Sequence, residues 1–195
     1  MPGLQDANAI TVGANGRVMV APYASVASWP TNVSTALDVA FVDTGLVSED
    51  GVTFTNGQEI NDINAWQSFY PVRKVVASKS TKVEFVLKQW DHYTTPLAFG
   101  GGTVTAVSGV HTYLPPDPSV LDLRATVIEW TDGAEIFRLV IPRGMVTGEV
   151  SSVIARTASA DLPISIEATP LGAAVAGTIQ TQPFYFVTNA GSFVT

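Results

Sequence analysis

The sequence predicts an all-β protein, a single sandwich or barrel with one short flanking helix. Apolar and polar residues alternate with a period of two in short runs such as 52–55, which is the pattern of half-buried strands. Asp132-Gly133 separates the apolar runs 123–130 and 134–141, and Asp-Gly between two such runs indicates a β-hairpin. About ten runs of this kind follow one another closely, which is typical of sandwiches and barrels.

Each predicted element is bounded by turn or breaker residues. The predicted strands cover residues 17–21, 41–47, 52–55, 72–77, 81–90, 104–107, 110–114, 123–130, 134–141, 146–155 and 162–168. The run at 184–187 is an apolar patch near the terminus, which we expect to pack against something. We interpret Ser78-Lys79-Ser80 as the turn of a hairpin, and we expect Pro142 to end its strand. The short helix is predicted at about 92–99, with Asp91 capping its start and the glycines 100–102 ending it.

The chain length predicts one domain with two terminal extensions. Residues 1–15 are small and polar and are interpreted as an N-terminal arm, residues 16–170 as the β domain, and residues 171–195 as a C-terminal arm. A long loop is predicted at about 58–71, and loops of that length are usually functional or disordered. This one holds five large apolar residues, which argues against simple disorder: Ile60, Ile63, Trp66, Phe69 and Tyr70.

The composition indicates a protein that is partly covered by other subunits. Charged residues make up only 14% of the 195 residues, although 46% are hydrophobic. An isolated soluble monomer generally carries more surface charge. A compact secreted β-protein rich in Ser, Thr and Asn is the alternative explanation.

The charge balance and the absence of cysteine exclude several classes of site. The net charge of −7 is unsuited to gripping nucleic acid, because phosphate binding needs clustered Lys and Arg. A surface of this charge would let DNA pass without binding it. Disulfides and cysteine-based metal sites are excluded. The first residues do not have the pattern of a signal peptide, and no segment is expected to insert into a membrane.

No constellation of residues predicts catalysis. His92 and His111 have no metal-ligand spacing, and no G-x-S-x-G elbow is present. The carboxylates that lie close in sequence are interpreted as solvated turn residues. We therefore predict no catalytic, cofactor-binding or metal site, and a protein that is not an enzyme.

Charge is segregated along the middle of the chain. An acidic segment is followed by one that holds half of the ten basic residues. The acidic residues are Glu49, Asp50, Glu59 and Asp62, and the basic ones are Arg73, Lys74, Lys79, Lys82 and Lys88. One interpretation is that the acidic segment of one subunit meets the basic segment of a neighbour, which would fix register. The other is a solvated strand face with edge lysines that prevent aggregation.

The long loop also contains a candidate interface anchor. Trp66 and Phe69, which flank Gln67 and Ser68, are the kind of aromatic residues that dominate protein interfaces. The alternative is that the loop folds back onto its own sandwich.

Several short motifs occur in one order and carry a family resemblance. They are SEDGVTF at 48–54, AWQS at 65–68, PVRKVV at 71–76 and Gln89-Trp90-Asp91, with a looser match that takes in VIEWTDGAEIFRLVIPR. In these motifs the chain resembles the major tail tube proteins of long-tailed, non-contractile phages, particularly those that infect actinobacteria.

The resemblance implies a tail-tube-type β-sandwich whose copies close into hexameric rings, and the rings stack into a tube for DNA ejection. It implies a virion tail protein assembled in the host cytoplasm. It also implies contacts with itself, with the tape measure and with other tail proteins, and a long loop that touches an adjacent subunit or the next ring. The alternatives are a receptor- or carbohydrate-binding β-sandwich and a minor tail component, such as a terminator or completion protein.

Overall fold

The computed structural model describes residues 9–170 and 182–193, and within them the predicted all-β fold is confirmed. These residues form ten strands and one short α-helix. The elements are β1 Asn15–Pro22, β2 Val42–Asp43, β3 Val47–Ile63, β4 Arg73–Leu87, α1 Thr94–Ala98, β5 Thr103–Val107, β6 Val110–Leu114, β7 Leu123–Asp132, β8 Glu135–Val146, β9 Leu162–Ala168 and β10 Tyr185–Thr188.

Eight strands form one antiparallel sheet in the order β2-β1-β7-β8-β9-β4-β3, with β10 also paired to β8. Strands β9 and β10 lie beside different parts of β8, since Ala168 pairs with Gly144 and Tyr185 pairs with Val140. The hairpin β5-β6 is a separate two-stranded sheet. The turn predicted at Asp132-Gly133 is confirmed, and Gly133 adopts a φ of +57° there.

The main core lies between the two halves of the folded sheet. Alternate residues of β4 and β9 are buried, including Val83, Phe85 and Leu87, and they pack in one cluster with Val18 and Ile141 from the other half. Fully burying such a side chain contributes about 1.5–3 kcal/mol. The period-two pattern in the sequence therefore becomes the inner face of a β-sandwich.

A second, smaller cluster covers the outer face of β1, β7 and β8. Met19, Val127 and Val140 point outward from these strands, and the irregular segment 26–41 packs over them with Trp29 and Phe41. This segment packs over the sheet without pairing in it, so its sequence does not show the period of two that is typical of a strand.

The hairpin predicted around Ser78-Lys79-Ser80 is wrong, because β4 runs through these residues without turning. The three residues pair with Glu59, Gln58 and Gly57 of β3. They include no Gly or Asn to supply the positive φ that a tight hairpin needs. The chain reverses at 64–72 instead, so the loop is shorter than the predicted interval 58–71, whose first residues extend β3 to Ile63.

The predicted strand end at Pro142 is also wrong, since β8 continues to Val146. The register of β7 against β8 shifts between Arg124 and Thr126, which lie opposite Gly144 and Ile141. This irregularity accommodates a residue that has no N–H to donate to the ladder. The predicted strand at 146–155 is absent from the structure, in which no strand lies between Val146 and Leu162 apart from one isolated bridge.

Helix α1 is shorter than the predicted 92–99, but the roles expected of its flanking residues are confirmed. The Asp91 carboxylate accepts hydrogen bonds from the backbone N–H groups of Tyr93 and Thr94, both at 2.8 Å. Gly100, Gly101 and Gly102 all have positive φ after the helix. A conformation of that kind, which glycine adopts readily, ends the helix.

The predicted arms fall partly outside the described residues, which begin at 9 and leave out 171–181 and 194–195. On the N-terminal side, the N–H of Val12 donates to the Asp132 carboxylate at 2.8 Å. On the C-terminal side, β10 pairs with β8 and so belongs to the main sheet.

Candidate subunit interface

Strands β3 and β4 extend far beyond the core as a two-stranded ribbon, which we define as residues 56–80. Thr81 is the outermost buried residue of β4, and every residue from 73 to 80 is exposed. The paired part of the ribbon is roughly 25 Å long, at 3.4 Å per residue. Isolated two-stranded ribbons are marginally stable in water, and this one is joined to the main sheet at its base, where β4 also pairs with β9.

The end of the ribbon, which we call the tip (residues 64–72), displays three aromatic side chains. Trp66 and Phe69 are fully exposed and Tyr70 is 80% exposed. Backbone bonds shape the tip, with the N–H of Val72 donating to Ile63 O at 2.9 Å. The alternative that this segment folds back onto its own sandwich is therefore wrong.

The area of these aromatic rings is large on the scale of protein interfaces. Three rings that bury about 150–250 Å² each would supply more than half of the roughly 800 Å² that each partner contributes to a standard interface. Gln67 is exposed between Trp66 and Phe69. Along the ribbon, Ile60 pairs with Val76 and both are about half exposed.

Two of the predicted acidic residues meet basic or polar residues of the same ribbon. Asp62 lies opposite Lys74, and the Lys74 ammonium is 2.8 Å from its carboxylate. Glu59 accepts a hydrogen bond from the Ser78 hydroxyl at 3.2 Å. The acidic and basic segments of the sequence are therefore brought together partly within one chain.

The remaining charged residues of the two segments fall into two groups. Lys82 and Lys88 form ion pairs with Glu84 and Asp161 of the same chain. Within the described residues, Arg73, Lys79, Glu49 and Asp50 take part in no ion pair. Arg73 adjoins the tip. Glu49 and Asp50 lie at the opposite end of β3, in a bulge between the pairs Val47–Leu87 and Val52–Phe85.

A cleft of about 680 Å³ opens beside that bulge, between β1 and the edge strand β3. Its floor is mainly apolar, and three aromatic rings meet there. Phe54 and Trp130 each pack edge-on against Phe186, with ring centres 6.0 and 6.3 Å apart. Leu46 lines one wall and is 67% exposed. Glu49 lies on the rim.

Sequence reasoning missed this cleft because its lining comes from five separate segments of the chain. The nearest signal was the aromatic run at 184–187, for which a partner within the fold is expected. That run supplies Phe186 to the floor. Nothing in a linear pattern places it beside Phe54 and Trp130.

His92 and His111 line a different cleft, together with Trp90 and Tyr113. Burial raises the pKa of the Tyr113 phenol, and its hydroxyl donates to Gly101 O at 2.7 Å. Residues 9–170 and 182–193 contain no group of three His, Cys, Asp or Glu side chains placed to hold a metal ion. Across the same residues, no helix is long and apolar enough to cross a membrane.

The fold and the surface define an all-β protein with a protruding, aromatic-tipped ribbon and an open apolar cleft at its sheet edges. The family model of phage tail tube proteins matches residues 2–182, and the chain belongs to that family. It is a structural protein of the phage tail, in agreement with the resemblance. No curated protein matches the chain.

Proposed function

We propose that this chain is the repeating subunit of a phage tail tube, in which copies close into rings and the rings stack into the conduit for DNA. The number of subunits in a ring is taken as six from the resemblance. The observation that carries the proposal is the ribbon, whose exposed aromatic tip and unpaired strand edges are unsuited to a free monomer.

Ring closure would remove the exposed sheet edges. Strand β3 is the last strand of the main sheet, and β2 covers only two residues of β1 at the other end. Strand edges of this kind pair readily with another chain. Head-to-tail pairing of identical subunits closes into a ring when the rotation permits.

The acidic balance of the chain supports a passage for DNA. A net charge of −7 would repel phosphate from a lumen formed by identical subunits, so DNA would slide without specific binding. The tape measure and other tail proteins are the further partners that the resemblance implies. Assembly would take place in the host cytoplasm.

Electron microscopy of the concentrated, purified protein tests this function with no other phage protein present. We expect hollow tubes or stacked rings of uniform diameter. The copy number of the chain in virions separates a major tube subunit from a terminator or completion protein, because a tube subunit is among the most abundant chains. A chain present in only a few copies per virion would contradict the proposal.

A further inference from the structure

The cleft between β1 and β3 is formed in the monomer before any partner binds. Trp130 stacks on Phe137 with their ring centres 5.3 Å apart, and Phe54 packs against Phe184 at 5.0 Å. These contacts hold the rings of the floor in place. The volume of about 680 Å³ falls within the range of roughly 300–1,000 Å³ that is usual for binding pockets.

The tip of the same chain cannot fill this cleft. Phe54 belongs to the floor, and β3 runs from it to Ile63 paired with β4, with one register shift between Glu59 and Ile60. Nine residues of extended strand carry the tip about 30 Å away from the floor. Any tip that enters the cleft must therefore come from a second copy of the chain.

The tip and the cleft are complementary in chemistry. The tip presents Trp66 and Phe69 with Arg73 beside them, and the cleft presents an aromatic floor with Glu49 on its rim. Within the described residues neither Arg73 nor Glu49 takes part in an ion pair. Opposite charges at the rim of an apolar contact favour one register over others.

We propose that this cleft is the acceptor for the ribbon tip of a second copy of the chain, with Trp66 or Phe69 on its floor and Arg73 near Glu49. The inference rests on the proposed function and identifies the surface that receives the ribbon. Tip and cleft are different surfaces, so the contact is heterologous and adds copies one after another. A contact of this kind suits a stack of rings.

Cross-linking between two single-cysteine variants tests the inference, because the natural chain has no cysteine. One variant carries Gln67→Cys, which keeps both Trp66 and Phe69, and the other carries Ser48→Cys in the wall of the cleft. The two proteins bear different affinity tags, are mixed, assembled and treated with a short bismaleimide. We expect the doubly tagged product in at least tenfold excess over the control pair.

The control pair replaces Ser48→Cys by Ser119→Cys. The match is close, because each serine donates a hydrogen bond to an aspartate two residues away, Ser48 to Asp50 and Ser119 to Asp117. Equal cross-linking of the two pairs in assembled particles would overturn the acceptor cleft and leave the tube function intact. If the wild-type chain forms no particles at all, the proposed function fails and this inference fails with it.

A charge placed in the cleft gives a second measurement. Leu46→Glu is expected to abolish sedimentable particles, whereas Leu121→Glu leaves them unchanged. Both leucines are exposed to the same degree, 67% and 66%, so neither substitution should alter the melting temperature of the monomer by more than a few degrees. Normal particles from Leu46→Glu would overturn the inference.

Discussion

Arg138 lies directly opposite Glu129 in the β7–β8 ladder, and its guanidinium donates a hydrogen bond to the Glu129 carboxylate. Its Nη1 donates to the carbonyl oxygens of Asn32 and Thr35, each at 2.8 Å. The other carboxylate oxygen of Glu129 binds Arg17 of β1 at 2.7 Å. These bonds form a network that joins β1, β7 and β8 to the covering segment 26–41. Arg138 at its centre is buried, with only 5% of the residue exposed.

Replacing Arg138→Met should therefore destabilise the monomer by about 3 kcal/mol, the lower end of the range for removing one partner of a buried ion pair. Two backbone carbonyls would also lose their donor. Urea denaturation followed by circular dichroism measures the change. Arg156→Met, at an exposed position, is the control and should stay within about 0.5 kcal/mol. A loss below about 1 kcal/mol for Arg138→Met would contradict this account of the network.

The covering segment should also make stability depend on pH through Asp38. Its carboxylate accepts hydrogen bonds from the N–H groups of Ala40, Ser28 and Ala27, at 3.0, 2.9 and 3.1 Å. The pKa of Asp38 lies below its ordinary value, chiefly because of the bond from Ala40. A lowered pKa means that this stabilisation is present above about pH 4 and is lost as the pH falls through the folded-state pKa.

The variant Asp38→Asn isolates this contribution. We expect it to melt at a lower temperature than the wild type at pH 7, and we expect the difference to shrink steadily below about pH 4. Melting curves of both proteins between pH 7 and pH 2.5 measure it. A difference that stays constant over this range would show that the charge of Asp38 does not contribute.

The aromatic tip should matter for assembly and not for folding. Trp66→Ala is expected to raise the critical concentration for particle formation at least tenfold, since an interface anchor contributes about 2 kcal/mol or more. The monomer should keep its melting temperature, because Trp66 is fully exposed. Val39→Ala, also fully exposed, is the control for sedimentation. A loss of monomer stability with normal assembly would place Trp66 within its own fold.

The two ribbon lysines should behave differently from each other. Lys79→Glu leaves the ribbon intact, because Lys79 lies opposite the uncharged Gln58, and it should weaken assembly if a neighbour's acidic residue binds there. Lys74→Glu places a like charge opposite Asp62, which costs roughly 0.2–1 kcal/mol in the ribbon itself.

Particle yield and hydrogen exchange of the ribbon amides distinguish the two effects. Arg156→Glu serves as the charge-matched control. Unchanged yield and particle length for Lys79→Glu would rule out its role between subunits.

Local rules in the sequence were sufficient to predict much of the fold. Alternation predicted the strand at 52–55, which lies in β3, Asp132-Gly133 predicted the β7–β8 turn, and Asp91 predicted the start of α1. Each of these depends on a few neighbouring residues whose geometry is set by backbone sterics and local hydrogen bonds. The exposed aromatic residues Trp66 and Phe69 could also be singled out, since large apolar residues between two predicted strands stand out in a sequence.

The sequence by itself determined the alternating strands, the turn chemistry and the low charge of this protein. Only the tertiary structure decided that Ser78-Lys79-Ser80 continues a strand, because its partners on β3 are about twenty residues away and satisfy its backbone. It likewise decided that Pro142 is tolerated in β8 opposite an irregularity in β7. The cleft depends on Leu46, Phe54, Trp130 and Phe186 meeting in space, and that meeting follows from the curl of the whole sheet.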